Sequence, residues 1–215
     1  MKNNTRNSTL ILTVFTILFL LFSPFQQSAV IPVTGFSSGL ASVQLAAPLS
    51  LQSIDTFAAS LNNGDSGQLV GVFADGTFAL PVVQQGGNSG YVSTRNNTLT
   101  QFGLASDYGS TGILAHNYLS GKYFSSLSSG QTISLVYGDG SVKNYTVSEV
   151  RRYQALSPNS QYSDFVNLGD TTKQLSSSDL FLETFGQSGA LVLQTCISKN
   201  GSSSWGRLFV IAYAS

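Results

Sequence analysis

Ala190-Leu191-Val192-Leu193-Gln194-Thr195-Cys196 and Arg207-Leu208-Phe209-Val210-Ile211-Ala212-Tyr213 are the stretches whose reading decides the fold. Both are short runs of apolar and β-branched residues, of strand length and too short for a typical helix. Each carries a reactive side chain at one end: Cys196 closes the first and Arg207 opens the second. Paired as adjacent antiparallel strands, they put thiol and guanidinium near the same end of a sheet. The residues between, Lys199-Asn200-Gly201-Ser202-Ser203-Ser204-Trp205-Gly206, read as a flexible loop. A third run, Gly112-Ile113-Leu114-Ala115-His116, ends in the same way on an imidazole.

The rest of the chain extends this β reading. Leu69–Phe73 and Thr77–Val83 flank Ala74-Asp75-Gly76, and Asp-Gly between two such runs signals a hairpin. Thr132–Tyr137 and Val142–Val147 alternate around Gly138-Asp139-Gly140, the clearest hairpin in the sequence. Helical spacing appears at Leu51, Ile54, Phe57, Ala58 and Leu61, and Asn62-Asn63-Gly64 stops it. Tyr118–Leu127 fits a short helix with Tyr123 and Phe124 in the core. Residues 151–189 read as a long polar connection, with a helix over Leu175–Phe185 capped by Ser177 or Ser178. The expected fold class is mostly β: a closed or nearly closed barrel with short helices, covering residues 51–215.

Composition bounds the function. The chain has 215 residues, 42% of them hydrophobic, which suits one domain plus a targeting segment. Charged residues are only 9%, against about a quarter in typical domains. Ten basic and ten acidic residues cancel. No basic stripe is present, so nucleic acid is not an expected partner. Lys2 and Arg6 precede the apolar run Leu10–Phe22, which reads as an N-terminal signal peptide or signal-anchor helix over residues 1–29. Residues 30–50, rich in Ala, Ser, Gly and Pro, read as a spacer. The body is therefore expected outside the cytoplasm, secreted or anchored to the membrane at the cell surface.

That location sharpens the cysteine argument. A lone Cys in an exported chain has no internal disulfide partner, so the thiol is a buried small hydrophobe, an intermolecular pairing site or a reactive group. A thiol attacks acyl carbons as thiolate, an imidazole relays the proton, and a guanidinium stabilises the oxyanion. Cys196, His116 and Arg207 are therefore the candidate catalytic residues. Around them, Thr195 either orients the thiol or is a strand-favouring residue. Trp205 either lines a peptide groove or staples the loop. Asn117 either holds His116 or caps the following helix, the cap being the plainer reading.

These motifs, in this order, resemble those of the sortases, cysteine transpeptidases of bacterial surfaces. Val192-Leu193-Gln194-Thr195-Cys196 is similar to the family's Thr-Leu-x-Thr-Cys strand apart from its leading Val. Gly206-Arg207-Leu208-Phe209-Val210-Ile211-Ala212 is similar to the family's last strand. Ala115-His116-Asn117 looks like the context of its histidine. Gly130-Gln131-Thr132-Ile133 and Tyr145-Thr146-Val147 resemble its Gly-Asp-x-Ile and Tyr-x-Val segments, with Gln131 in place of Asp. The resemblance spans roughly residues 68–214. It implies a sortase-like barrel and a thioacyl-enzyme on Cys196, with His116 as proton carrier and Arg207 as oxyanion or peptide clamp. It further implies two partners: the sorting peptide of a surface protein, and an amine acceptor from a cell-wall precursor or a pilin Lys. No metal or organic cofactor is expected. Two other readings stay open: a cysteine protease using water as acceptor, and a non-catalytic surface β-domain that binds peptide or carbohydrate.

Overall fold

The computed structural model describes residues 53–160 and 162–215. The signal or anchor segment and the spacer expected over residues 1–50 lie outside the described residues. Among those described, no helix is long and apolar enough to cross a membrane.

Helix α1 (Ile54–Leu61) leads into the hairpin of β1 (Leu69–Ala74) and β2 (Phe78–Gln84). Then come β3 (Leu99–Phe102), the single-turn α2 (Gly103–Ser106) and β4 (Thr111–Leu114). A 3-10 helix (Ser120–Ser126) precedes the hairpin of β5 (Thr132–Tyr137) and β6 (Val142–Ala155). Last are β7 (Phe165–Asn167), β8 (Gln174–Leu175), α3 (Ser177–Phe185), β9 (Leu191–Lys199) and β10 (Ser202–Ala214).

The strands run in the order β10-β9-β4-β3-β2-β1-β5-β6, and β10 pairs with β6 in turn. The fold is therefore mostly β, an eight-stranded closed barrel with few short helices, and β7 and β8 extend from β6 outside the ring. Closure leaves the eight strands without a free edge. Two junctions, β2–β3 and β4–β9, are parallel.

Two apolar layers explain why β9 is an unbroken apolar run. Leu191 and Leu193 face the barrel interior with Val72, Leu80, Ile133 and Val210. Val192 faces the outer layer with Phe102, Phe181, Phe185 and Phe209. A strand buried on both faces loses its polar alternation. Phe185 of α3 meets the ring of Phe102 at 5.0 Å and that of Phe209 at 5.9 Å, both edge-on. On a third side, α1 lays Phe57 against Phe73 and the close-packed Gly71 of β1.

Several expectations need correction. The flexible loop before Arg207 does not exist, because β9 and β10 continue to a tight turn at Asn200-Gly201, with Lys199 opposite Ser202. Both turn residues have positive φ, 52° and 77°, as a type I′ hairpin requires. The serine run had masked that Asn-Gly signal. The polar connection over 151–189 is also largely structured: β6 runs on through Arg151-Arg152-Tyr153-Gln154-Ala155, and β7, β8 and α3 follow. The cap of α3 is Ser176, whose hydroxyl accepts from the Asp179 N–H at 3.1 Å. The helix expected over Tyr118–Leu127 is a 3-10 helix. Phe124 is buried as expected.

The charges of β6 have a purpose that composition did not show. Glu183 of α3 accepts from Lys173 Nζ at 2.5 Å, from Tyr153 Oη at 2.8 Å and from Arg151 Nη1 at 3.3 Å. Burial pushes the Glu183 carboxyl up, but the bonds from Lys173 and Tyr153 outweigh it and hold the group below its ordinary value. A depressed carboxylate stabilises the fold above its unfolded pKa, and the gain is lost as pH falls through the folded value. Glu183→Gln should lower unfolding free energy by about 1.5–3 kcal/mol at pH 7. Urea titrations should show the gap from wild type shrinking below the ordinary carboxylate range.

Candidate active site

The site is assembled by two strand pairings. In the antiparallel β9–β10 pair, Cys196 lies directly opposite Arg207. Opposite residues share a face, so thiol and guanidinium project together toward the outer side of the barrel. In the parallel β4–β9 pair, Leu114 is level with Gln194. The chains stay in step past the end of β4, where the Ala115 N–H donates to the Gln194 carbonyl at 3.2 Å. β4 ends at Leu114, and His116 follows two residues later, at the same end of the sheet as Cys196. The three candidates thus lie at one end of the sheet, with Cys196 and Arg207 on one face.

Each has a distinct environment. Arg207 is 1% exposed, and its Nη1 donates to the carbonyls of Ser204 at 3.1 Å and Gly206 at 2.8 Å. Its Cζ sits 5.3 Å from the Phe165 ring centre. Burial pushes its pKa down to about 10, partly offset by Cys196, so it stays charged at neutral pH. Cys196 is 9% exposed. Burial pushes its thiol up, and the Arg207 charge pulls the other way. His116 is half-buried and stacks on Tyr118 at 5.2 Å. Burial lowers its pKa, and a Val92 backbone contact opposes this. At neutral pH the resting site is a neutral thiol, a neutral imidazole and a fixed cation.

An open cleft of about 380 Å³ borders Cys196 at this end of β9, bounded also by Thr195, Ile197 and Leu208 and by the cations Lys122 and Arg152. His116 and Arg207 do not line it. Cys196 therefore borders a cleft and lies opposite Arg207 on β10.

Of the three secondary candidates, Thr195 and Asn117 line the cleft and Trp205 does not. Thr195 alternates to the opposite face from Cys196, and its Oγ1 donates to the Ala115 carbonyl at 2.8 Å. It therefore grips the chain just before His116 rather than the thiol. Asn117 caps no helix. Its Nδ2 donates to Ser198 Oγ at 2.6 Å and to the Ser203 carbonyl at 3.0 Å, tying the residue after His116 to the β9–β10 hairpin. Trp205 is half-buried on β10, with Lys199 Nζ 4.5 Å from its ring centre, and it does not line the cleft. Among the described residues, no group of three or more His, Cys, Asp or Glu converges as a metal site would need.

Sequence reasoning missed Gly121. Its N–H donates to the His116 carbonyl at 2.9 Å. A Cβ there would come within 2.8 Å of the Ala115 and His116 carbonyls and closer still to Thr195 Oγ1. Gly121→Ala should cost about 1–3 kcal/mol of stability and displace the segment carrying His116. Thermal unfolding and turnover should fall together.

No family model and no curated protein matches the chain. Several solved structures do. Sortase A of Listeria monocytogenes is 14% identical with a TM-score of 0.43, covering 68% of this chain and 87% of that one. Sortase C of Clostridium perfringens SM101 is 14% identical with a TM-score of 0.41, covering 75% and 85%. Sortase C-1 of Actinomyces oris is 14% identical with a TM-score of 0.44, covering 74% and 78%. These belong to the family that the sequence motifs resemble. Likeness at this level carries no argument about chemistry, which rests on the geometry alone.

Proposed function

We propose that the protein is a cysteine transpeptidase of sortase type, acting outside the cytoplasm on a peptide of a surface protein. The observation that carries this reading is the register that sets Cys196 opposite Arg207, with His116 following β4 at the same end of the sheet. Transfer of the thiol proton to His116 makes the nucleophile. The sulfur attacks a backbone carbonyl, forming the S–C bond, while the Arg207 charge stabilises the oxyanion. The C–N bond breaks, and the departing amine takes the proton from His116. A second amine then attacks the thioester, gives its proton to His116 and releases the thiol. The cleft bordering Cys196 offers room for one of the two substrates.

The acceptor distinguishes transpeptidase from protease. A positional-scanning pool of acetylated hexapeptide amides is incubated with the protein, with and without glycinamide. Diversion of the cleaved acyl fragment into its glycinamide adduct supports the reading. Release of the free acid alone, unchanged by the amine, points to a cysteine protease.

The pKa directions fix the pH profile. His116 titrates below its ordinary value and Cys196 above its own. The reactive thiolate–imidazolium form has the same protonation count as the neutral pair, so its fraction is constant between the two macroscopic pKa values. A plot of kcat/KM against pH should be a broad bell. Its acid limb should fall below about 6.5 and its alkaline limb above about 8.5. A narrow bell centred near 6 would contradict these environments.

A further inference from the structure

Gln194 lies two residues before Cys196 on β9 and is 1% exposed. Its strand neighbours on the same face are Phe209 of β10 and Leu114 of β4, both members of the apolar outer layer. Within that layer neither its Nε2 nor its Oε1 has a hydrogen-bond partner among the described residues. A buried polar group without a partner costs about 1–3 kcal/mol, and native proteins contain few of them. A Leu or Met would suit the position better if packing were its only role. The amide shares its strand and face with the thiol.

We propose that Gln194 is a specificity-determining residue, whose amide takes up the main chain of the acyl-donor peptide. This rests on the transpeptidase reading of Cys196. Residues two apart on a strand are about 6.6–6.8 Å apart, and an extended peptide advances about 3.3–3.6 Å per residue. A donor lying along β9 with its scissile carbonyl at Cys196 brings the peptide group about two residues toward its N-terminus over Gln194. Nε2 donates to that carbonyl, and Oε1 accepts from a neighbouring N–H. The cover over this face comes from outside the barrel, from Val92 before β3, Phe165 of β7 and helix α3. Part of it moves aside when the peptide enters, and the barrel ladders stay intact. A donor unable to pair with the amide leaves it buried and unmatched, which discriminates against that donor.

The test uses a pool peptide that forms a thioester, beside its depsipeptide with an ester in place of the amide two residues before the scissile bond. In the wild type the ester should raise KM about tenfold, the worth of one hydrogen bond, with kcat held. Gln194→Met should raise KM for the all-amide peptide by a similar factor and erase the ester penalty to within twofold. Its melting temperature should hold or rise, and its alkylation by iodoacetamide should be unchanged. An unchanged KM in Gln194→Met, or an ester penalty that persists there, overturns the proposal and leaves the amide to packing or an internal water. Should the variant not fold, the wild-type comparison decides alone: a penalty supports the proposal and its absence overturns it. A wild type that forms no thioester with any pool peptide overturns the transpeptidase reading, and this inference falls with it. Thioester formation in both proteins with the same KM for the all-amide peptide overturns this inference alone.

Discussion

Cys196→Ala is expected to lower kcat/KM by on the order of 10⁴-fold or more, the scale seen when a covalent nucleophile is removed. The fold should survive. Cys196 packs as a small, nearly buried residue at the end of β9, and alanine keeps the strand's backbone pairing to Arg207 and Gly206. Loss of the sulfur costs packing only, about 1 kcal/mol by the scale of a buried methylene. Circular dichroism and thermal unfolding should therefore be close to wild type while turnover vanishes. Cys196→Ser tests the same point more sharply. It keeps the size of the group but offers a hydroxyl, a far weaker nucleophile at these pH values. Residual turnover near the wild-type rate in either variant would remove the thiol from the mechanism and favour a peptide- or carbohydrate-binding domain.

Arg207→Met carries the second largest effect, and it divides between rate and fold. The guanidinium is enclosed, holds the Ser204 and Gly206 carbonyls, and faces Cys196 across the strand pair. Its charge is the nearest compensation for an oxyanion or thiolate at Cys196. Removing one such donor costs roughly 10²–10³-fold in kcat. The fold loses donors to two carbonyls, at about 1–3 kcal/mol each. It also sheds a buried cation whose desolvation opposes folding. The net loss in stability should be no more than about 3 kcal/mol, measurable by urea titration. Arg207→Lys keeps the charge but replaces the rigid planar guanidinium with a flexible, strongly hydrated ammonium, so it should recover only part of kcat. A Met variant that forms the acyl-enzyme at the wild-type rate would leave Arg207 a purely structural cation.

The sequence made the thiol–guanidinium pairing legible because both residues sit at the ends of consecutive strands. A hairpin puts such ends side by side whatever the rest of the chain does. The Asp75-Gly76 and Gly138-Asp139-Gly140 hairpins were legible for the same reason: their turn chemistry is local. The route of His116 was not. Its place depends on β4 lying parallel to β9, a pairing between segments far apart in sequence that no local periodicity encodes. The extension of β6 through Arg151 and Arg152 was hidden because those charges read as loop, and the partner of Arg151, Glu183, lies far along the chain on α3. Thr195 stood out in the sequence as a candidate beside the thiol, and nothing there marked Gln194. The alternation of β9 turns the first toward the Ala115 carbonyl and leaves the second in the apolar layer beside the thiol.

The central claim is that Cys196, paired with His116 and Arg207, becomes covalently acylated by a peptide. Intact-protein mass spectrometry after brief mixing with the hexapeptide pool at pH 7 tests it most directly. The account predicts an added mass equal to a peptide's acyl fragment, located on Cys196 by digestion, discharged by glycinamide and absent from Cys196→Ala. An unmodified protein mass throughout, or an adduct that persists in Cys196→Ala, would contradict it.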